Sequence, residues 1–578
     1  MADLLRQFNI WKEANLPDDL RQEINAIEGD NDEIYERFCK ELRFGTSGLR
    51  GKMGVGTNRI NSITLKKASV GIANYLKEYR VNPKVVISYD TRNNSKRFAD
   101  EVAKVYSNLG VDCYVFSQPT PVPVLSFATR AMKVDCGIMI TASHNPKEYN
   151  GYKVYDRHGN QIDSKKAAMI ETMINQVDPF KEYIENDEIK GFIKAVPENY
   201  VGAYLDALAR NTLYWTDEDE ARKAMGELKV CYTPLHGTGR PYVLTALEEI
   251  GVKLDNIIEV KSQVVQDGNF PTCPYPNPET DKAFDEALTA CAENAEALGM
   301  ADIIVVTDPD GDRMGLAVYD GTRYQHLTGN QVGELMFSYI CDAHKKGIGG
   351  RTLDARKVCV KTYVSSPVLE DIARSYGVRV KNVFAGFKNV AYEMEKLEEA
   401  ERENDFLFGF EESLGYLYGN YTRDKDGVMA AQMACLMAAK AKSEGKTLVD
   451  ALSDLYDTYG YLESISQAKL YKTEKDRDEI AFILERFLKG ALKDHPDNTF
   501  KVEHEICYRE QQMYCADLEG GHRIIVRPSG TELKIKTYIF AKGKTRNEAI
   551  NTASLISTWL RDVLDMEAKE YEKCDYRD

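Results

Sequence analysis

Residues 84–116 read KVVISYDTRNNSKRFADEVAKVYSNLGVDCYVF. Lys84 to Tyr89 is a short β-branched run that reads as a strand. Ser95 to Leu109 reads as a helix and Val111 to Phe116 as a second strand. Outward from this stretch, Ile63 to Tyr79 has the spacing of an amphipathic helix. Val122 to Met132 is a further helix and Cys136 to Ile140 a third strand. Strands and helices that alternate through short links predict a mostly parallel, doubly wound sheet. The pattern recurs as strand Leu228 to Tyr232, helix Tyr242 to Ile250 and strand Asp302 to Val306. It returns as strand Val358 to Thr362, helix Val368 to Tyr376 and strand Val378 to Val383. Three α/β units follow one another without obvious sequence identity. Residues 499–540 differ: strand-like runs at Arg523 to Val526 and Leu533 to Ile539 precede a helix from Arg546 to Leu564, a smaller α+β pattern. The first 40 residues are charged and helix-prone, with Pro17-Asp18-Asp19 as a helix start. The charged stretches near 180–220 and 440–495 read as helical connectors or insertions.

The chain has 578 residues, 43% hydrophobic and 10% aromatic. That is ample for packed cores and, at roughly 150 residues per domain, about four of them. Lys and Arg number 75 against 91 Asp and Glu, a net charge of −16. Such a chain is a poor partner for nucleic acid or anionic membranes, and an anionic ligand must be gripped by local groups. Twelve cysteines are scattered without a CxxC pair or zinc-finger spacing, which predicts free thiols in a reducing compartment. The N-terminus lacks a basic start backed by an apolar stretch. The longest nearly apolar run, Val428 to Ala439, is too short to span a bilayer. A cytoplasmic protein with no membrane and no nucleic-acid partner is expected.

In open α/β sheets, ligands gather beyond the carboxyl ends of the strands. Cys136 to Ile140 is followed by Thr141-Ala142-Ser143-His144-Asn145-Pro146. Ser143 is a candidate nucleophile, or part of a turn that satisfies its own backbone. Asn150-Gly151-Tyr152-Lys153 then brings an ammonium back towards that loop. Asp302 to Val306 is followed by Thr307-Asp308-Pro309-Asp310-Gly311-Asp312-Arg313. Three carboxylates at alternate positions can converge on one hard cation, or form an Asx-type turn. Counting Asp308 as the first position, the sixth is Arg313 and the twelfth Tyr319, so an EF-hand fails. So few carboxylates suit Mg²⁺, and Arg313 beside them suits a phosphoryl oxygen. Gly409-Phe410-Glu411-Glu412-Ser413-Leu414-Gly415 offers acceptors for sugar hydroxyls, or is an exposed acidic turn. It lies between Ala385-Gly386-Phe387-Lys388-Asn389 and Arg423-Asp424-Lys425-Asp426-Gly427. Arg527-Pro528-Ser529-Gly530-Thr531-Glu532 reads as a phosphate cradle or a hairpin turn. Neither Gly-Lys-Thr, at 445–447 or 543–545, is a nucleotide P-loop: Lys440 and Tyr538 stand where the first glycine is required. Nucleophile, metal triad, hydroxyl acceptors and a separate phosphate cradle together point to phosphosugar chemistry with phosphate held at two places.

These motifs resemble those of the α-D-phosphohexomutase superfamily: FGTSGLRG (44–51), TASHNP with NGYK (141–153), DPDGDR (308–313), GFEES (409–413) and RPSGT (527–531), in family order. The GFEES form, the RDKDG segment and the N-terminal helix are most similar to the branch of bacterial phosphoglucomutases and phosphoglucomutase-2-like phosphopentomutases. The resemblance implies a four-domain, heart-shaped α/β architecture, three similar mixed α/β domains plus a C-terminal α+β domain. The expected bounds are a helical extension at 1–40, then 41–215, 216–328, 329–455 and 456–578. It implies an isomerase that converts glucose 1-phosphate to glucose 6-phosphate through phosphoserine 143 and glucose 1,6-bisphosphate, the latter also the activator. One Mg²⁺ per chain is expected on Asp308, Asp310, Asp312 and a Ser143 phosphate oxygen. Arg50, His144 and Lys153 are expected to be catalytic. Lys153 would exchange a proton with the sugar hydroxyl, its pKa lowered by Arg50 and the metal. Arg313, Lys388, Glu411, Ser413, Arg527, Ser529, Gly530 and Thr531 are expected to hold substrate, in a monomer or dimer. Mannose and pentose phosphates are alternative substrates. Ala385 and Leu533 depart from the usual Thr and Pro and blur the detail around Lys388 and the cradle. The rivals are a haloacid-dehalogenase-type phosphatase, with Asp308 as nucleophile, and a non-catalytic sugar-phosphate binder. Those phosphatases carry Thr or Val where Asp312 stands here.

Overall fold

A computed structural model describes residues 2–45, 48–182, 190–471, 476–493, 499–529 and 534–575. They divide into two units, Met1–Tyr363 with Tyr376–Val449, and Val364–Ser375 with Asp450–Asp578.

The first unit holds three sheets. The first contains β1 (Leu49–Lys52), β2 (Lys84–Tyr89), β3 (Asp112–Val115), β4 (Cys136–Ile140), β5 (Tyr149–Asp156) and β6 (Ile193–Ala195), in the order β1-β5-β4-β2-β3-β6. β4, β2, β3 and β6 are parallel, while β5 runs antiparallel between β4 and β1. The second contains β7 (Val230–Thr233), β8 (Ile257–Glu259), β9 (Ile303–Thr307), β10 (Met314–Tyr319) and β11 (Tyr324–Leu327), in the order β11-β10-β9-β7-β8. The third contains β12 (Val358–Thr362), β13 (Arg379–Val383), β14 (Phe406–Glu411) and β15 (Gly415–Leu417), in the order β13-β12-β14-β15. Each is a parallel core extended at one edge by antiparallel pairing, so the sheets are mostly parallel, as expected, and mixed.

Local chemistry accounts for the elements. The central strands β2, β4 and β9 are buried on both faces apart from Lys84, as strands covered by helices on both sides must be. The helix Ser62–Tyr79 begins at a capping box: the Asn61 side chain accepts from the Ile63 and Thr64 amides, and the Thr64 hydroxyl accepts from the Asn61 amide. Such a cap stabilises by about 1 kcal/mol. The helices Ala2–Glu13, Asp18–Ala26 and Asn31–Phe38 bury Phe8, Trp11, Ile24 and Phe38 with Val55 and Ile63 in a small core of their own.

The second unit holds an antiparallel sheet of β16 (Tyr461–Leu470), β17 (Val502–Tyr508), β18 (Met513–Leu518), β19 (His522–Pro528) and β20 (Lys534–Gly543), in the order β16-β20-β19-β18-β17. Its core includes Ile524, Val526, Ile539, Phe487 and Trp559. Two expectations are corrected. The stretch 440–495 is not only helical, because β16 pairs with β20 over ten residues. Its residues are mostly half-buried or exposed, so no apolar run marks it as a strand. The last helix runs Arg546–Asp575, eleven residues beyond Leu564. No helix among the described residues is long and apolar enough to cross a membrane. The described cysteines are free thiols, Cys39 being exposed.

Candidate active site

β4 ends against Thr141-Ala142-Ser143. Ser143 is buried and holds φ +52°, a left-handed conformation that a residue with a Cβ adopts at a cost. The surroundings over-determine it. The Ser143 amide donates to Thr141 Oγ1 at 2.8 Å, and Arg92 Nη2 donates to the Ser143 carbonyl. The Ser143 hydroxyl donates to Asp308 Oδ2 at 2.8 Å. Its one proton is spent there, so at 3.1 Å it accepts from His144 Nδ1. His144 is neutral: burial, with Arg313 and Arg50 nearby, holds its pKa well below the ordinary value.

The turn between β9 and β10 delivers the three aspartates. Gly311, at φ +65°, allows the reversal. Main-chain bonds from four distant segments brace the turn. Val122 donates to the Asp310 carbonyl at 2.9 Å and Thr238 to the Pro309 carbonyl at 2.9 Å. Gly427 donates to the Gly311 carbonyl at 3.1 Å, and Met314 to the Leu414 carbonyl at 3.3 Å. Asp308, Asp310 and Asp312 are all buried, with ligand atoms within 4.8 Å of one another. Asp310 Oδ1 and Asp312 Oδ1 are buried without a hydrogen-bond partner. Orphaned anionic oxygens facing one another are the donor set of a hard divalent cation. The residues therefore fit a metal. Burial, with Asp310 and Asp312 beside it, pushes the Asp308 carboxyl well above the usual range. Asp312 is just as buried, but Lys425, Lys153 and Arg313 hold it below that range.

Cations close the ring. Lys153, on β5, lies 2.8 Å from Asp310 Oδ2 and 3.4 Å from Asp312 Oδ2. Lys425 lies 2.7 Å from Asp312 Oδ2. Arg313 lies 3.3 Å from Glu279 and 3.9 Å from Asp312. Arg50 donates to Asn145 Oδ1 at 3.1 Å and feels Asp310, Arg313 and Asp312. In the metal-free site, burial opposes the Lys153 charge, but Asp310 and Asp312 more than offset this and raise its pKa.

The hydroxyl-acceptor loop is the turn between β14 and β15. Glu411 Oε1 accepts from the Gly386 amide at 3.0 Å, and Ser413 lies in the turn itself. Burial draws the Lys388 ammonium below its ordinary value, opposed by Asp163 and Glu411. Glu411 is also felt by Arg313 and Lys425, which ties this loop electrostatically to the aspartate loop.

In the second unit, Arg527 lies at the end of β19. Its Nη2 donates to the Tyr538 hydroxyl at 2.7 Å, and its guanidinium stands 5.4 Å above the Tyr538 ring. The Ser529 amide donates to the Lys534 carbonyl at 2.9 Å. Gly530 and Thr531 lie outside the described residues.

Two residues that the motifs did not single out sit in this site. Lys425 belongs to the RDKDG segment, which marked the family branch without a role for the lysine, and Arg423, Asp424, Lys425 and Asp426 are all buried. Arg92 follows β2, the strand beside β4, and the Asp90-Thr91-Arg92 triplet at that strand's carboxyl end was the available signal.

Three family models match the chain in succession: phosphoglucomutase/phosphomannomutase α/β/α domain I over residues 41–180, domain II over 202–321 and domain III over 328–459. A phosphoglucomutase of Staphylococcus aureus is 32% identical over 533 residues, covering 88% of this chain and 91% of its own. That of Staphylococcus haemolyticus is 32% identical over 531 residues, covering 87% and 90%. Among solved structures, a phosphoglucomutase/phosphomannomutase family protein from Burkholderia thailandensis superposes with a TM-score of 0.66 at 16% identity, over 91% of this chain and 97% of its own. Parafusin from Paramecium, in its open form, gives 0.66 at 16% identity, over 91% and 96%. At that identity the superpositions speak to the fold alone.

Proposed function

Because the chain belongs to the phosphoglucomutase/phosphomannomutase family, we propose that it is a phosphoglucomutase that interconverts α-D-glucose 1-phosphate and glucose 6-phosphate. One observation carries the reading. A strained serine hydroxyl stands 2.8 Å from a buried three-carboxylate cluster that is itself faced by Lys153, Lys425, Arg313 and Arg50. Four cations converge beside the nucleophile, where they can receive a phosphoryl dianion.

In this reading Ser143 carries the phosphoryl group and passes it to the free hydroxyl of a sugar monophosphate. The resulting bisphosphate turns over and returns its other phosphate to Ser143. Asp308, Asp310 and Asp312 would hold Mg²⁺, one per chain, which when bound would supply positive charge against the transferring group. His144 Nδ1 and Asp308 Oδ2 fix the direction of Ser143 Oγ. Lys153 exchanges a proton with the sugar hydroxyl, taking it as the hydroxyl attacks the phosphoryl group and giving it up to the departing oxygen; a cation on the aspartates, with Arg50, would lower its pKa for that role. Glu411, Ser413 and Lys388 receive the sugar. Arg527, Ser529, Gly530 and Thr531 hold the phosphate that does not react. The segments 41–215, 216–328, 329–455 and 456–578 are its domains, after the helical extension 1–40. The enzyme works in the cytoplasm, as a monomer or dimer, with glucose 1,6-bisphosphate as activator.

Phosphorus NMR tests the reading with Mg²⁺, a trace of glucose 1,6-bisphosphate, and one of glucose, mannose or ribose 1-phosphate per tube. Fastest conversion of the glucose ester to the 6-phosphate is expected. Fastest conversion of another ester moves the substrate within the family, and release of inorganic phosphate alone overturns the mutase.

Lys425 provides a second check. Replacing it with Met removes a buried cation at 2.7 Å from Asp312 and weakens the pull on the transferring phosphate. kcat/KM is expected to fall on the order of 100-fold. Unchanged steady-state kinetics in the folded variant would remove Lys425 from the machinery.

A further inference from the structure

We propose that Arg92 is the positioning residue of the serine loop, holding Ser143 in its strained conformation through the main chain. The proposal rests on the mutase reading above.

Arg92 is buried and spends its guanidinium on carbonyl oxygens of one loop. Nη2 donates to the Ser143 and Asn145 carbonyls. Nη1 donates to those of Pro146 at 2.9 Å and Tyr149 at 3.4 Å. Nε faces Asp90 Oδ2 at 3.2 Å. Asp90 Oδ2 in turn receives the Thr141 hydroxyl at 2.6 Å, and Thr141 Oγ1 accepts the Ser143 amide. The amide and carbonyl of Ser143 are thus both tied to the Asp90–Arg92 pair. A planar fork with five donors can grip several carbonyls at fixed angles, which an ammonium cannot.

The guanidinium also lies over the Phe270 ring, 4.9 Å from its centroid. Phe270 is buried with φ +48°, in a segment bolted down by His236, whose ring nitrogens lie 2.9 Å from Val265 O and from Thr272 Oγ1. His236 stands two residues before Thr238, which grips the Pro309 carbonyl of the aspartate loop. Arg92 therefore sets the serine loop against the same stretch of chain that sets the aspartate loop. It touches no reacting atom, and its contribution is the register between Ser143 Oγ and Asp308.

The test compares full-length wild-type protein with Arg92→Met, Arg92→Lys and Phe270→Leu, each normalised to its folded fraction from a thermal melt. Misplacing a reacting atom by about 1 Å costs on the order of 100-fold in rate. Arg92→Met is expected to lose about that much in kcat, with KM within about threefold of wild type. Arg92→Lys keeps the charge beside Asp90 but not the fork, and about tenfold is expected. Phe270→Leu keeps the fork and loses its backing, and about threefold is expected. Phosphorylation of Ser143 by glucose 1,6-bisphosphate, followed by intact mass, slows in the same order. A purely structural Arg92 would lower the melting temperature and leave kcat per folded molecule intact. That result, in whichever variants fold, overturns the proposal. If wild-type protein turns over none of the three sugar phosphates, the mutase reading fails separately, before any variant is compared.

Discussion

Ser143→Ala abolishes turnover: kcat for glucose 1-phosphate falls by on the order of 10⁴ or more, the scale on which losing a covalent nucleophile acts. The loss is chemical rather than structural. Ala accepts the φ of +52° at the same backbone cost as Ser. The thermal midpoint therefore changes only by the lost bonds to Asp308 and His144, each worth about 1 kcal/mol. Steady-state kinetics beside a thermal melt separates the two effects. The variant also discriminates between chemistries, because a phosphatase that used Asp308 as its nucleophile would keep its activity. Retained turnover in a folded Ser143→Ala protein would take the phosphoserine out of the mechanism.

Asp308→Asn is expected to lower kcat by on the order of 10³, while the metal-free protein becomes more stable. The two effects share one cause. Burial, together with Asp310 and Asp312, raises the Asp308 pKa in the folded state. The folded protein therefore binds more protons at this position than the unfolded chain. Stability falls as pH rises from the unfolded carboxylate value, about 3.9, towards the raised folded one. Asn removes that penalty; its oxygen keeps the Asp312 and Arg313 amides that bond to Asp308 Oδ1, and its NH2 donates to the Ser143 hydroxyl in place of Oδ2. It also removes a ligand charge from the metal cluster. Wild-type protein with Mg²⁺ at about 100 times its dissociation constant gains about 2.7 kcal/mol, and the variant is expected to lose most of that gain. Thermal melts with and without Mg²⁺, at two pH values, read both effects. A metal-free variant less stable than wild type at pH 7 would contradict the electrostatic account.

The parallel strands were legible because burial on both faces forces continuous apolar runs: Lys84–Tyr89, Cys136–Ile140 and Val358–Thr362 stand where the pattern puts them. Among the antiparallel strands, β19 and β20 were legible, at Arg523–Val526 and Leu533–Ile539, but those of the first unit were not. β5 reads YNGYKVYD, a polar turn by composition, and is a strand because β4 and β1 take its hydrogen bonds on both sides. Ser143 and the three aspartates were visible because each loop follows a strand's carboxyl end. The place of Lys425 in the site was not, because its partner Asp312 is 113 residues away and the RDKDG segment follows no recognised strand end. Arg92 was harder still. Its partners are main-chain carbonyls, which any residue supplies, so no side-chain pattern marks the grip.

The bracing of the aspartate turn has a consequence for synthesis on the ribosome. A nascent chain released as far as residue 321 already carries Ser143, Lys153 and all three aspartates. It lacks Leu414, Lys425 and Gly427, which hold the turn from the third sheet's segments. The chemistry therefore waits for the last third of the polypeptide. Until then the aspartate turn lacks both the Lys425 cation and two of its four main-chain braces, so a chain truncated before residue 414 carries the reacting residues without the hold that sets them.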